Sequence, residues 1–409
     1  MFKGISMKTV AEQKQECLAA AKVLPAFEVS LTDAIGCILA QDVVSLVDVP
    51  QMNLAGRDGY AVQAEDTRGA SDVNPLSLPV LEKVRANYTE PVSIVEKTAI
   101  KVASGTPLPE GADAVVPIEY TDGGEARVQI NVELQAGENV RTHAEDLAAG
   151  EVILRQGVRI ASRQVAVLAS AGHATVLVRP KPRVVVLAIG DELQEPGRPA
   201  VRGKVYDANS HALASAAAGA GAQVFRVGAV PDDARILREA IEDQLVRADI
   251  VITTGGLSYG GGDTLKEVLA PLGTVRFDHV GIFPGRQFGV GRIDHTSIFC
   301  LPGSPTAALT GFEVFIRPAL RQMAGYQHLE RRTVRAKIAQ GWESPFGKEE
   351  YVQARVTGTP GHGYTVEPIG KPGRPLLTGM ARANCLILLS ASTRLVAAGE
   401  SVDCIVIDQ

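Results

Sequence analysis

The sequence of 409 residues has no paired cysteine spacing, no histidine pair at metal-ligand spacing, no basic stripe and no long apolar run. Its five cysteines, Cys17, Cys37, Cys300, Cys385 and Cys404, are scattered, and no neighbouring histidine completes a zinc site. Free, mostly buried thiols are therefore expected. The seven histidines include no HExxH motif, which leaves histidine-based metal chemistry without support. Net charge is −5, from 41 basic against 46 acidic residues, and no basic segment is interleaved with aromatics, so nucleic acid is not an expected partner. The longest apolar run, Val184 to Ile189, is far shorter than the roughly 20 residues of a membrane span, so no membrane partner is expected either. Met1 to Val10 lacks the apolar stretch of a secretory signal, and the expected location is the cytoplasm.

What the sequence does contain is a globular composition, 45% hydrophobic and 21% charged, in a chain long enough for two to four domains at about 150 residues each. Helical spacing from Met7 to Leu24, with Ser6 as N-cap, predicts an opening helix. Between Val43 and Glu151 short β-branched runs broken by Gly, Pro and Asp predict a small β-rich domain. A helix is expected from Ser162 through Ala171 and a strand from Thr175 to Val178, and the run Arg179-Pro180-Lys181-Pro182-Arg183 marks a boundary. From Val184 to Met323 strand and helix patterns alternate, as in a parallel sheet covered on both faces. Beyond Arg331 the pattern becomes β-rich with turn glycines, which suggests a small barrel. The expected architecture is multidomain α/β plus β. It comprises an N-terminal region over 1–179 with an inserted β-rich part at about 43–151, a doubly wound α/β domain over 180–325, and a β-barrel over 331–409.

In open α/β sheets ligands sit beyond the C-terminal ends of the strands, and three loops there carry unusual chemistry. Thr253-Thr254-Gly255-Gly256-Leu257-Ser258 through Asp263 leaves a strand and enters a helix, and its glycines expose N–H groups to an anion. Its spacing fits neither GxGxxG nor a P-loop, and the bland alternative is a flexible loop with Asp263 as a helix cap. Pro302-Gly303-Ser304-Pro305 is a second strand-to-helix turn, with Pro305 near the first helical turn. The third is Gly190-Asp191-Glu192-Leu193, where carboxylates follow a strand end and Tyr206-Asp207-Ala208-Asn209 comes next. Carboxylates beside a phosphate cradle commonly hold Mg²⁺. Asp232 and Asp233 add further acid, part of it explained by helix capping.

Taken in order, Gly190-Asp191-Glu192-Leu193, Gly255-Gly256-x-Ser258, Asp263 and Pro302-Gly303-x-Pro305 resemble the pterin-binding domain of MoeA-type molybdopterin molybdenumtransferases and the gephyrin E domain. Upstream, Asp48-Val49-Pro50, Asp58-Gly59-Tyr60-Ala61-Val62, Ala103-Ser104-Gly105, Val140-Arg141 and Glu145-Asp146 resemble the N-terminal region of the same family. The resemblance implies insertion of molybdate into adenylylated molybdopterin with release of AMP. It implies Asp58, Asp146, Glu192, Asp232 and Asp263 as catalytic acids, with Mg²⁺ held by Asp263 and Glu192. Ligand contacts are implied at Gly190, Asp191, Asp207, Gly255, Gly256, Ser258, Pro302, Gly303, Ser304 and Pro305. It further implies a homodimer whose site is shared between subunits, and contact with the molybdopterin adenylyltransferase.

The sequence departs from the family pattern where molybdate is expected. The usual Lys-Pro-Gly-Lys-Pro segment reads Phe283-Pro284-Gly285-Arg286-Gln287, with His279 in place of an earlier lysine. Ala307, Arg374 and Ala55 stand where hydroxyls are usual, and Asn53-Leu54 replaces Asp-Asn. Molybdate is a dianion and needs fixed positive charge to leave water. Two readings follow: His279, Arg286, Arg355 and Arg374 rebuild an oxyanion pocket, or the site binds molybdopterin or a related phosphorylated ligand without inserting metal.

Overall fold

Thr9 ends the extended start of the chain and opens helix α1 (Val10–Ala20). Its hydroxyl accepts from the Glu12 N–H at 3.2 Å while the Glu12 carboxylate accepts from the Thr9 N–H at 2.8 Å, a reciprocal capping box. The helix expected from Met7 to Leu24 is shorter at both ends: this cap starts it at Val10, and it ends at Ala20; Ser6 lies outside the described residues. The computed structural model describes residues 7–83, 92–257, 264–345 and 347–407, and the backbone divides into two units. Helix α1 belongs to the first, with Met1–Phe27, Gly36–Ala40 and Val178–Gln409; Glu28–Ile35 and Gln41–Leu177 form the second.

The second unit is built on five strands, β1 (Gly59–Val62), β2 (Leu76–Lys83), β3 (Ala99–Val102), β4 (Ala114–Pro117) and β5 (Arg127–Ile130), in the spatial order β4-β1-β3-β2-β5. Alternation puts Tyr60, Val62, Val116 and Val128 on one buried face and Ala61, Ile100 and Val115 on the other. A short ladder pairs Val140 with Ala55 and Arg141 with Leu54, which draws the segment after Val140 beside the loop that carries Asp58. Helix α2 (Ser162–Ser170) follows, within the range expected from the sequence.

The first unit holds a six-stranded sheet of β6 (Arg183–Ile189), β7 (Gln223–Arg226), β8 (Ile250–Gly255), β9 (Arg276–His279), β10 (Gln287–Ile293) and β11 (Thr296–Leu301). Their spatial order is β7-β6-β8-β11-β10-β9, with β7, β6, β8 and β11 parallel and β10 antiparallel to both of its neighbours, β11 and β9. The β-branched run Val184 to Ile189 is buried on both sides: Val184 and Val186 face one core, Val185, Leu187 and Ile189 the other. Helix α3 (Asn209–Gly219) covers the first face through Leu213 and Ala217. Helices α4 (Ala234–Leu245) and α5 (Thr264–Leu269) cover the second through Leu237, Ile241 and Leu265. Asp233 caps α4, its carboxylate accepting from the Arg235 and Ile236 N–H groups. After β11 comes helix α6 (Pro305–Gly311), which runs on through a π turn and a further helix to Met323.

The barrel expected after Arg331 is present. Strands β12 (Thr333–Ile338), β13 (Glu349–Thr359), β14 (Gly363–Pro368), β15 (Cys385–Leu389) and β16 (Ser401–Val406) close because β13 pairs with both β14 and β15. Ala336, Ile338, Val352, Ala354 and Ile387 fill it. All five cysteines are buried and free, and burial pushes the thiols of Cys17 and Cys300 up to about 12. Among the described residues no helix is long and apolar enough to cross a membrane.

Phe288 on β10 sits in the core of the first face, 2% exposed, with its ring 5.1 Å from that of Phe315 and edge-on to it. Phe288→Ala is expected to lower the stability of the first unit by about 3–5 kcal/mol, seen as a lower urea midpoint for that unit's transition.

Candidate functional site

Strand β7 lies on one side of β6 and β8 on the other, so the chain changes direction between β6 and β8, and a crevice opens beyond their C-terminal ends. That crevice is a cleft of about 310 Å³. Ala188 and Ile189 from β6, Thr254 and Gly255 from β8, and Gly303 and Pro305 from the turn into α6 line it, together with Glu192, Leu193, Val205 and Tyr206–Asn209. The three loops singled out from the sequence therefore meet at one place.

Gly255 is required there. Its φ is +91°, and a Cβ on it would lie 2.2 Å from the Ile189 carbonyl oxygen. Gly256 follows at φ +69°. Ser258 and Asp263 lie outside the described residues. In the turn from β11 to α6, Ser304 occupies the N-cap position and Pro305 the first turn. Ser304 makes no side-chain cap; its hydroxyl lies 3.3 Å from that of Thr306.

Side chains tie these loops together. Asn209, the first residue of α3, donates from Nδ2 to Thr254 Oγ1 at 2.8 Å and to the Gly303 carbonyl at 2.9 Å. Thr254 in turn donates to the Pro302 carbonyl at 3.0 Å. Asp207, 1% exposed, accepts from the Ser210 N–H at 2.9 Å and from the Ser210 hydroxyl, and Arg226 Nη1 stands 3.9 Å from it. Arg226 also donates to Glu195 at 2.7 Å, which holds the carboxyl of Glu195 below its ordinary range.

The acids after β6 and before α4 form a second feature. The Asp232 N–H donates to Asp191 Oδ1 at 3.3 Å, and Lys204 Nζ donates to the Asp191 carbonyl. Burial raises the pKa of Asp232, and the charges of Asp191 and Glu192 raise it further. The Glu192 carboxylate lies against Gly190, where a Cβ would come within 2.5 Å of Oε2. Among the described residues no three His, Cys, Asp or Glu groups form a ready metal cage.

The remaining expected residues lie elsewhere. His279 ends β9; burial lowers its pKa, and the nearby Arg286 and Lys266 charges lower it further. Arg286 precedes β10, and its carbonyl accepts from the Val280 N–H at 2.8 Å. Arg355 is exposed on β13 and donates to the Arg382 carbonyl at 3.2 Å. None of these three residues lines the cleft. Asp58 and Asp146 belong to the second unit. Asp58 Oδ1 accepts from the Ser104 N–H at 2.7 Å, and the Asp146 N–H donates to the Val49 carbonyl at 3.0 Å. His143, between Arg141 and Asp146, donates its N–H to Asn53 Oδ1 at 2.8 Å, so the N-terminal motifs share one edge of that unit. Thr254, Asn209 and Arg226 were not among the expected ligand residues. The first two sit inside segments that the sequence had marked, whereas Arg226 at the end of β7 carried no local signal.

Like charges crowded at Asp232 imply a pH effect. Its folded pKa lies above the unfolded one, so the fold is favoured relative to the unfolded chain at low pH and loses that advantage as pH rises through the folded value. Asp232→Asn is accordingly expected to raise the thermal midpoint at neutral pH without divalent ions, with the gain shrinking as pH falls into the carboxylate range. Melting curves against pH in the presence of a chelator measure this.

Family models match almost the entire chain. The one described as "MoeA N-terminal region (domain I and II)" matches residues 8–172, "Probable molybdopterin binding domain" matches 185–322, and "MoeA C-terminal region (domain IV)" matches 335–407. Molybdopterin molybdenumtransferase 1 of Mycobacterium tuberculosis is 35% identical over 418 aligned positions, covering 97% of this chain and 98% of the relative. Molybdopterin molybdenumtransferase 2 of the same organism is 36% identical, covering 96% and 98%. A solved structure of the molybdopterin biosynthesis MoeA protein from Pyrococcus horikoshii superposes with a TM-score of 0.79 at 27% identity, covering 99% of this chain and all of that one.

Proposed function

The chain belongs to the MoeA family, and from that premise we propose that it inserts molybdate into adenylylated molybdopterin with release of AMP. Its relatives are named molybdopterin molybdenumtransferases and match it over nearly their whole length, so its work is enzymatic and lies in molybdenum cofactor biosynthesis. The observation that supports the reaction best is the cleft at the direction change of the sheet, where glycine-ended loops meet Glu192, whose charge together with that of Asp191 acts on Asp232. No observation favours pterin binding without metal insertion.

In this reading the N–H groups of the loop at Gly255 and Gly256 and the helix start at Ser304 and Pro305 face the phosphates. Gly190, Asp207, Pro302 and Gly303 shape the walls. Mg²⁺ fits the donor set: it takes one or two carboxylates together with substrate phosphates, so a closed three-ligand cage is not needed. Glu192 and Asp263 would hold it, and its charge would relieve the repulsion among Glu192, Asp191 and Asp232. When bound, the ion supplies positive charge beside the pyrophosphate. The acids orient the water that attacks phosphorus as AMP departs. Asp58 and Asp146 are proposed to act in a homodimer, toward the partner subunit's cleft. Arg286 and Arg355 are proposed as cations that draw molybdate in from water, with His279 as a further polar contact. Hand-over of the substrate from the adenylyltransferase, and a cytoplasmic setting, belong to the same proposal.

Purified protein given adenylylated molybdopterin and Mg²⁺ is expected to release AMP in a molybdate-dependent manner, and Asp232→Asn to slow release by about a hundredfold or more while staying folded. A wild type that releases no AMP with molybdate present sinks the reaction. Light scattering at micromolar concentration is expected to give twice the chain mass.

A further inference from the structure

Lys348 comes immediately before β13, beside the turn that carries Arg286. Backbone bonds place it. The Glu349 N–H donates to the Gly281 carbonyl at 2.8 Å and the Val280 N–H to the Arg286 carbonyl at 2.8 Å, so Lys348 and Arg286 both neighbour Val280-Gly281. The short strand Ile282–Phe283 then runs parallel to the start of β13, with Ile282 opposite Glu349 and Phe283 opposite Glu350. The same turn lies beside the border of the cleft: a Cβ on Gly285 would come 3.6 Å from that of Ala307, in the first turn of α6, whose Pro305 lines the cleft. The adjacent acids are engaged elsewhere. Glu349 accepts from the Tyr351 hydroxyl at 3.2 Å, and the buried Glu350 accepts from the Ser344 hydroxyl at 2.6 Å. Lys8 reaches this place through its backbone, but its ammonium is held by Glu16 and Asp278. Among the described residues the Lys348 ammonium has neither a carboxylate within 4.0 Å nor a hydrogen-bond acceptor.

Lys348 is half-buried, which leaves it open to a solute. Burial pushes its pKa below the ordinary lysine value, and the charge of Arg286 pushes it further. Two neighbouring cations thus lose part of their water without gaining a counter-charge, an arrangement that costs free energy in the empty protein and that a doubly charged anion reverses. A lysine kept only for the packing of its stem would carry its head into solvent or onto an adjacent acid. We infer that Lys348 is a further binding residue of the proposed reaction, receiving with Arg286 a tetrahedral dianion, which in that reaction is molybdate. The inference rests on the molybdate-inserting reading and adds a source of charge to it. Phe283 brings none, and the barrel strand paired with it supplies the ammonium. The two groups divide the work: the guanidinium offers a planar fork of donors, the ammonium a compact charge with three rotatable ones.

Calorimetric titration of the full chain with molybdate, and separately with inorganic phosphate, tests this. Lys348→Gln is expected to weaken molybdate binding about tenfold or more, on the order of one charge-assisted hydrogen bond, while Lys348→Arg stays within about threefold of the wild type. In AMP release the Gln variant is expected to raise the KM for molybdate by a like factor, with kcat and the KM for adenylylated molybdopterin within about twofold. Lys348→Met, which keeps the stem, is expected to match it and guards against a Gln variant that fails to fold. Lys337→Gln removes an exposed positive charge from β12 and is expected to leave molybdate affinity unchanged, which controls for net charge. Molybdate affinity unchanged in Lys348→Gln, or lost equally in Lys348→Arg, overturns the inference and leaves the reaction standing. So does a loss confined to phosphate, which assigns the pair to the phosphate end of the nucleotide instead. A wild type with no saturable dependence on molybdate, in binding or in AMP release, removes the reading and the inference together.

Discussion

A Cβ on Gly255 would sit 2.2 Å from the carbonyl oxygen of Ile189, and this contact lets two neighbouring strands end side by side with no side chain between their backbones. The cleft depends on it. Strands β6 and β8 run parallel in register to their last residues, Ile189 opposite Gly255, and the loops that follow must separate at once to leave room for a ligand. A side chain at this point would push the loops apart or turn the backbone away from its φ of +91°. The amide of Asn209 then fastens what the glycine allows, bonding the end of β8 and the turn before α6 to the start of α3.

Much of this was legible in the chain itself, for identifiable reasons. The run Val184 to Ile189 announces a strand buried on both faces because nothing polar interrupts it, and the alternation of such runs with helical periods can form few other folds. The glycines of the 255–256 segment and the carboxylates after Ile189 stood out because backbone exposure and clustered charge are local properties. The capping box at Thr9 was missed although Thr9 and Glu12 have the right spacing, since an apolar period extending beyond it masked the true start. Arg226 could not be found from sequence. Its importance comes from the pairing of β7 beside β6, which sets it against Glu195 and the buried Asp207, and nothing in the residues around it predicts that neighbour. The cap at Asp233, by contrast, was visible as a polar residue ahead of an amphipathic helix.

Charge is distributed unevenly over the first unit. Acids gather at Asp191, Glu192 and Asp232, where burial and mutual repulsion both favour the protonated form of Asp232. Cations gather at His279, Arg286 and Lys266, where burial and like charge both favour the neutral form of His279. At Asp232 the neighbouring acids add to the effect of burial, whereas at His279 the charge of Asp278 offsets part of the effect of Arg286 and Lys266. The two signs alternate more closely at Lys8, which sits between Glu16 and Asp278 at 2.7 and 2.6 Å.

Helix α1 precedes by some 300 residues the segments that secure its end. The Ala20 carbonyl accepts from Arg292 at 2.7 Å and from Ser297 at 2.8 Å, across 272 and 277 positions of chain. Gln322 Nε2 donates to the Leu18 carbonyl, 304 positions away. During synthesis the apolar side of α1, with Val10 and Cys17, therefore has no core to join until β10 and β11 have emerged. The β-rich second unit, most of it continuous from Gln41 to Leu177, is complete long before that moment. Vectorial folding thus favours the inserted unit first, and α1 gains its tertiary hydrogen bonds only after some 300 further residues have been made.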